Sequence, residues 1–419
     1  MDKHPTSSPT QLIFITLLAL LILSACAAPA VVVTPAPSET AAAPMQPATA
    51  TDQATAAAAT AKATAAAAAT AIETAAVPTA TVPTATSAAA DAATGAWACD
   101  VPHPATAALL EQAQPETWMQ WIRQLSGAEP VSIAGETVTI ETRFTPAMFN
   151  ANFEAQPNAR AFEYLLETVR GWYPEEQIEV QSFSVSTRGG ETIYGRNLIL
   201  TLPGEGLPDE VVLLTAHFDS TSNPAPMQRA PGAEDNGTGS AALLEAARLL
   251  REQRFERTIR IIWFTGEELG LLGSRAYVES EGFDPRAVVG VVNLDMFGHD
   301  TDNDRCFEMH VGTLPASDRV GQCFVEAAQA YDLGLETYDY LTDEAVNASD
   351  HGTFWREGVG AIEILENMFD HQQPLGCANK DPNPTYHTDE DTHDRLNPDT
   401  GIRITRAAIA AVAGMAGPR

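Results

Sequence analysis

Four short runs of apolar, largely β-branched residues constrain this chain more than any other feature. Val211-Val212-Leu213-Leu214-Thr215, Ile259-Arg260-Ile261-Ile262-Trp263-Phe264, Val288-Val289-Gly290-Val291-Val292 and Ala361 to Leu365 have strand length, the pattern of sheet strands covered on both faces. Between them, Gly239 to Glu252 carries Leu243, Leu244, Ala247 and Leu250 at helical spacing, and Gln322 to Tyr331 is a second apolar-faced stretch. Strand and helix in alternation predict βαβ units. Ile178 to Val185 and Asn197 to Leu202 add strands upstream. The expected fold is therefore α/β, three αβα layers around a mixed, mostly parallel central sheet.

The front of the chain is built differently. Ile13 to Leu23 is an apolar run, shorter than the roughly 20 residues a spanning helix needs and suited to a signal-peptide core. It ends in Leu23-Ser24-Ala25-Cys26, which resembles the bacterial lipobox and makes Cys26 the expected lipid attachment site. The mature protein is then expected on the extracytoplasmic face of the cell membrane; an ordinary signal peptide with a chance cysteine is the alternative. The Ala, Thr and Pro that follow lack aromatics and a periodic apolar face, so this part buries no core and reads as a tether. The expected organisation is a leader over 1–26, a linker over 27–95, an N-terminal extension over 96–150 packing on the main domain, and that domain over 151–419.

Beyond Cys26, the chain has Cys99, Cys306, Cys323 and Cys377, an even set able to form disulfides in an oxidising compartment. Their pairing is not readable, and none has the close CxxC spacing of a structural zinc site. A formal charge of -31 without basic clusters argues against nucleic acid or an anionic membrane surface as partner.

Open α/β sheets bind ligands beyond the carboxyl ends of their strands, and there the sequence repeatedly supplies His, Asp or Glu. The first run leads into Ala216-His217-Phe218-Asp219, the second into Thr265-Gly266-Glu267-Glu268, the third into Asn293-Leu294-Asp295-Met296. His217 and Asp219 share a strand face, which suits an imidazole oriented by a carboxylate; alone the pair is an ordinary surface histidine beside a turn acid. Asp235, in Ala233-Glu234-Asp235-Asn236-Gly237, is either a carboxylate held toward the sheet edge, able to bridge two metals, or a helix cap. Two adjacent acids such as Glu267 and Glu268 are costly at a strand end unless a cation or proton compensates them. One can ligate while its neighbour acts as general base; the plainer reading is a solvated helix start. Asp350, before His351, is a supporting acid behind the ligands or an N-cap. His387 and His393 are two candidate ligands that spacing alone does not separate.

Taken together, Thr-Ala-His-Phe-Asp, Gly-Ala-Glu-Asp-Asn-Gly, Thr-Gly-Glu-Glu-Leu-Gly, Asn-Leu-Asp-Met, Ser-Asp-His and Tyr-His-Thr occur here in the order found in M28 peptidases. The resemblance covers roughly residues 155–415 and is specific to the family rather than to one substrate. It implies the zinc-dependent exopeptidase fold and two Zn2+ ions, with cobalt or manganese as other metals such sites accept. It makes His217 and Asp295 ligands of one zinc, Glu268 and His387 ligands of the other, Asp235 the bridge and Glu267 the general base. The Tyr-His-Thr match selects His387 over His393, and Asp219 becomes the expected partner of His217. No stretch between these motifs is long enough for the inserted protease-associated domain of some larger members.

The function implied is a metallo-exopeptidase, an aminopeptidase releasing N-terminal residues from peptides by metal-activated water. A glutaminyl-cyclase-like aminoacyltransferase and a non-catalytic surface binding module are the alternatives. Two metals favour the peptidase over the cyclases, which typically use one. Residues 96–150, including Trp118 and Trp121, have no functional reading beyond packing.

Overall fold

A computed structural model describes residues 97–146, 152–186, 190, 192–369 and 376–419. The expected leader, its Cys26 and the linker over 27–95 lie outside the described residues. Two helices come first, α1 (Pro104–Leu110) and α2 (Pro115–Leu125), then the hairpin β1 (Val131–Ile133) and β2 (Glu136–Val138) and helix α3 (Ala159–Arg170). An eight-stranded sheet follows, made of β3 (Ile178–Ser186), β4 (Thr192–Leu202), β5 (Leu207–His217), β6 (Arg257–Phe264), β7 (Val288–Leu294), β8 (Phe307–His310), β9 (Tyr338–Leu341) and β10 (Ala361–Glu366). Interleaved with it are α4 (Thr238–Leu250), α5 (Leu272–Val278), α6 (Pro315–Ala330), α7 (His351–Arg356) and the closing α8 (Pro398–Ala416).

Strand order is β3-β4-β6-β5-β7-β10-β8-β9. The central strands β6, β5, β7 and β10 run parallel, whereas β3, β4 and β8 join antiparallel. The mixed, mostly parallel sheet expected from the sequence is the sheet observed. From β5 the chain crosses to β6 on one side and then to β7 on the other, so the order reverses at β5. A crevice opens at such a switch point, beyond the strand carboxyl ends.

Side chains alternate across the sheet as a period of two requires. Val212, Leu214, Ala216, Ile261, Trp263, Val292 and Leu294 enter a large core with helices α2, α3, α4, α6 and α8. Val211, Leu213, Ile262, Phe264 and Val291 enter a smaller one with Tyr277 of α5 and Phe354 of α7. These two cores separate the three layers.

Two differences from the sequence reading have clear causes. Helix α6 begins at Pro315 rather than near Gln322, because proline at a helix start loses no hydrogen bond and already has a helical φ. Helix α8 is absent from the sequence reading; apart from a narrow face bearing Asp399, Arg403 and Arg406 it is buried, and so wide an apolar face leaves only a weak amphipathic period to detect. Among the described residues, no helix is long and apolar enough to cross a membrane.

The disulfides are Cys99–Cys323 and Cys306–Cys377, with Cα–Cα separations of 5.4 and 5.6 Å. The first ties the chain ahead of α1 to α6. The second joins segments 71 residues apart.

The early helices share the main core. Trp118 of α2 is fully buried, its indole N–H donates to the Thr238 carbonyl at 3.2 Å, and its ring lies 5.9 Å from that of Phe297. Helix α8 presses so close that a Cβ on Gly401 would come within 2.1 Å of the indole, which requires glycine there. Replacing Trp118 with Ala should therefore destabilise the whole catalytic domain, by about 3–5 kcal/mol, in a cooperative denaturant transition. An unchanged midpoint would show that residues 97–146 fold apart from the sheet.

Candidate metal centre

The site lies where three neighbouring strands end. His217 is the last residue of β5 and pairs in register with Phe264, the last of β6, while Asp295 directly follows β7. Thr265-Gly266 then carries the chain out of β6 into the turn bearing Glu267 and Glu268. Asp235 comes from the loop before α4, and His387 from the loop before α8.

Two groups of potential ligand atoms form here, each with its atoms within 4.8 Å of one another: His217, Asp235, Asp295, and Asp235, Glu268, His387. His217 Nε2 is 3.1 Å from Asp295 Oδ1 and 3.4 Å from Asp235 Oδ1. His387 Nε2 is 3.1 Å from Asp235 Oδ2 and 3.0 Å from Glu268 Oε2. Asp235 thus faces one triad with each of its oxygens. A third group, Asp300, Asp302 and Asp304, lies on a largely exposed loop and contains no histidine.

Electrostatics show what these groups lack in isolation. Burial raises the Glu268 pKa to about 7, with Asp235 adding to the effect, and raises Glu267 well above the usual carboxylate range. For His387, burial opposes protonation, but hydrogen bonds to Asp235 and Glu268 outweigh it and lift the pKa to about 10. His217 is likewise driven well above its ordinary value, as Asp295, Glu267 and Asp219 overcome burial. Asp235 falls below its ordinary value because both histidines outweigh its burial. Glu268 Oε1 is buried without a hydrogen-bond partner. Buried, mutually repelling carboxylates around two imidazoles constitute a site for positive charge, and nitrogen with carboxylate oxygen is a donor set that suits zinc.

The surroundings hold these side chains in place. His217 Nδ1 donates to the main-chain oxygen of Asp219 at 3.1 Å, nearer than that residue's carboxylate at 3.6 Å. The Asp219 carboxylate also accepts the Glu267 amide at 3.3 Å and the Thr145 hydroxyl at 3.2 Å. Asp219 therefore holds His217 through its main-chain oxygen and its carboxylate, and the Glu267 amide through the same carboxylate. Asp235 does not cap α4; Asn236 Oδ1 accepts the Gly239 amide. Asp350 occupies the N-cap position of α7 without making a cap hydrogen bond, and burial raises its pKa to about 7. His393 opens a separate short turn, outside both triads.

Sequence reasoning gives Tyr386 no role of its own, although it opens the Tyr-His-Thr motif. Tyr386 stacks on the His387 ring with centroids 3.7 Å apart. The residue is 38% exposed, while desolvation of the hydroxyl and the charges of Asp235, Glu268, Glu267 and Asp295 push its pKa well above the ordinary value. His387 itself has φ of 56° and Met296, after Asp295, φ of 50°. Such values are costly without glycine and gather at functional sites.

Behind the site, His351 Nε2 lies 2.8 Å from the Val346 carbonyl and Nδ1 3.5 Å from Glu363 Oε2. Burial lowers the His351 pKa from 6.5 to about 3 and raises that of Glu363 far above the usual range. The unfolded imidazole takes up a proton near pH 6.5, the folded one only near pH 3, so its contribution to stability is lost as pH falls through that window. Glu363 has the opposite sign, gaining stability as pH falls, and comparison with a variant separates the two. Melting temperature should drop less between pH 6.5 and 3 in His351→Gln than in the parent; equal slopes would contradict this.

Residues 197–412, just over half of the chain, match the model of peptidase family M28. A probable leucine aminopeptidase 1 from Trichophyton verrucosum is 30% identical over 261 residues, covering 58% of this chain and 66% of the relative, so the chain spans just under two thirds of that relative's length. The LapA aminopeptidase of Legionella pneumophila superposes with a TM-score of 0.54 at 21% identity, covering 74% of this chain and 72% of that one. A glutaminyl cyclase from an Acidobacteriales bacterium gives 0.56 at 20% identity, covering 72% and 94%. At these identities the two structures show the fold alone, and one fold serves both peptidase and cyclase. The family match, which takes in His217, Asp235, Glu267, Glu268, Asp295 and His387, decides the affiliation: the chain belongs to peptidase family M28.

Proposed function

We propose that this chain is a zinc-dependent aminopeptidase that releases N-terminal residues from peptides. The observation that carries the reading is the division of the Asp235 oxygens between the His217–Asp295 pair and the Glu268–His387 pair. His217, Asp235 and Asp295 would hold one zinc, and Asp235, Glu268 and His387 the second. The leucine aminopeptidase relative supports N-terminal cleavage.

When bound, two zinc ions supply Lewis acidity, polarising the scissile carbonyl and making water more acidic. The chain's own residues do the rest. Glu267, its backbone fixed by Asp219, takes a proton from the attacking water and returns it to the leaving amine. Tyr386 stacks on the His387 ring and backs that ligand at the same edge.

The proposal extends to location. The Leu23-Ser24-Ala25-Cys26 sequence supports a lipid anchor at Cys26 that holds the enzyme at the extracytoplasmic face of the membrane. The two disulfides support an oxidising compartment.

Glu267→Gln should lower peptide hydrolysis by about 10²–10⁴-fold while retaining the metal content of the parent, measured by elemental analysis. Chelation should abolish hydrolysis and added zinc restore it. Peptides with a free N-terminus should be cleaved and N-acetylated ones spared. Cleavage of the blocked peptides would replace the aminopeptidase reading with an endo- or carboxypeptidase, and release of ammonia from N-terminal glutamine without hydrolysis would replace it with a cyclase. Cys26→Ser should move the protein from the membrane fraction to the soluble one; unchanged fractionation would remove the anchor from the proposal.

A further inference from the structure

We propose that Arg143 and Asp391 are positioning residues, an opposite-charge clamp on the main chain that holds the Asp235 carboxylate between the two triads. This deepens the metal-centre reading above and rests on it. Arg143 is wholly buried, yet all its hydrogen bonds go to carbonyl oxygens. It donates to Pro231 at 2.5 Å and Gly232 at 2.7 Å, the start of the segment that carries Asp235. It also donates to Phe218 at 2.7 Å, between His217 and Asp219, and to Leu125 at the end of α2 at 2.8 Å.

Asp391 grips the same segment by its amides. Its two carboxylate oxygens accept the Glu234 and Asp235 N–H groups, each at 3.0 Å, and its main-chain oxygen accepts Ala233 N–H at 3.0 Å. In the run 231–235, two carbonyls thus face the cation of Arg143, the amides of Glu234 and Asp235 face the Asp391 carboxylate, and the Ala233 amide bonds the Asp391 main chain. Bonds to ionised groups are the stronger and more directional kind, and Arg143 and Asp391 lie within electrostatic reach of each other. Gly232 completes the fit: its φ is 50°, and a Cβ there would come within 2.9 Å of Arg143 Nη2 and 2.2 Å of the Asp235 main-chain oxygen. Because Asp235 belongs to both triads, displacing its backbone loosens both. Arg143 lies outside the matched segment 197–412, so this gives the residues ahead of the sheet a part in the site.

The test uses the full chain stripped of metal, as the parent and as Arg143→Met, Arg143→Lys and Asp391→Asn. Zinc is titrated by calorimetry, and amide hydrogen exchange is read at Glu234 and Asp235 before zinc is added. Both zinc steps should weaken by about 10–100-fold in Arg143→Met and Asp391→Asn, with faster exchange at the two amides. Arg143→Lys should rescue little, since an ammonium cannot span carbonyls on several sides as a planar fork does. Parent-like affinity and protection in the folded variants would overturn the clamp, as would full rescue by lysine. If Arg143→Met does not fold, the other two variants decide on the same criteria; if none folds, Arg143 and Asp391 are folding residues and the proposal is overturned. A parent that binds no zinc would sink the metal-centre reading instead, and the exchange rates alone would then judge the clamp.

Discussion

The sharing of one buried carboxylate, that of Asp235, is the constraint on which the functional edge of this molecule depends. Asp235 reaches His217 with one oxygen and His387 with the other, while Glu268 and Asp295 crowd the same space. Gathering these acids away from water is expensive unless positive charge accompanies them. The sheet bears that cost because parallel strands β6, β5 and β7 all end at one edge, and His387 and Asp391 arrive from a later loop.

The same edge is supported from the opposite end of the chain. Thr145 bonds the Asp219 carboxylate and is itself bonded by Asn158, and Trp118 packs under Phe297 two residues beyond Asp295. Residues 97–146 are therefore continuous with the main core. A boundary near residue 150, natural from sequence because the family motifs begin later, does not divide the packing.

Much of the site was legible because its chemistry is local. His217, the Glu267-Glu268 pair and Asp295 each stand at the end of an apolar run, where an open sheet places its ligands. The choice of His387 over His393 was not local; it needed the Tyr-His-Thr match to the family, and in three dimensions it is His387, not His393, that lies against Asp235 and Glu268. Asp219 lies against His217 with its main-chain oxygen at 3.1 Å and its carboxylate at 3.6 Å, and the same carboxylate also accepts from Glu267 and Thr145, a sharing that spacing cannot show. Disulfide pairing was closed to the sequence for a similar reason: it joins positions 224 and 71 residues apart.

The sequence by itself determined the strand-and-helix alternation, the sheet class and the residue types presented at the strand ends, since periodicity and β-branched runs act over a few residues. Only the tertiary structure decided how Asp235 divides its two oxygens, that a buried arginine serves carbonyls rather than acids, and that Trp118 and α8 close over the sheet. Those outcomes depend on which distant segments are brought within hydrogen-bonding distance, and a linear pattern carries no measure of that distance.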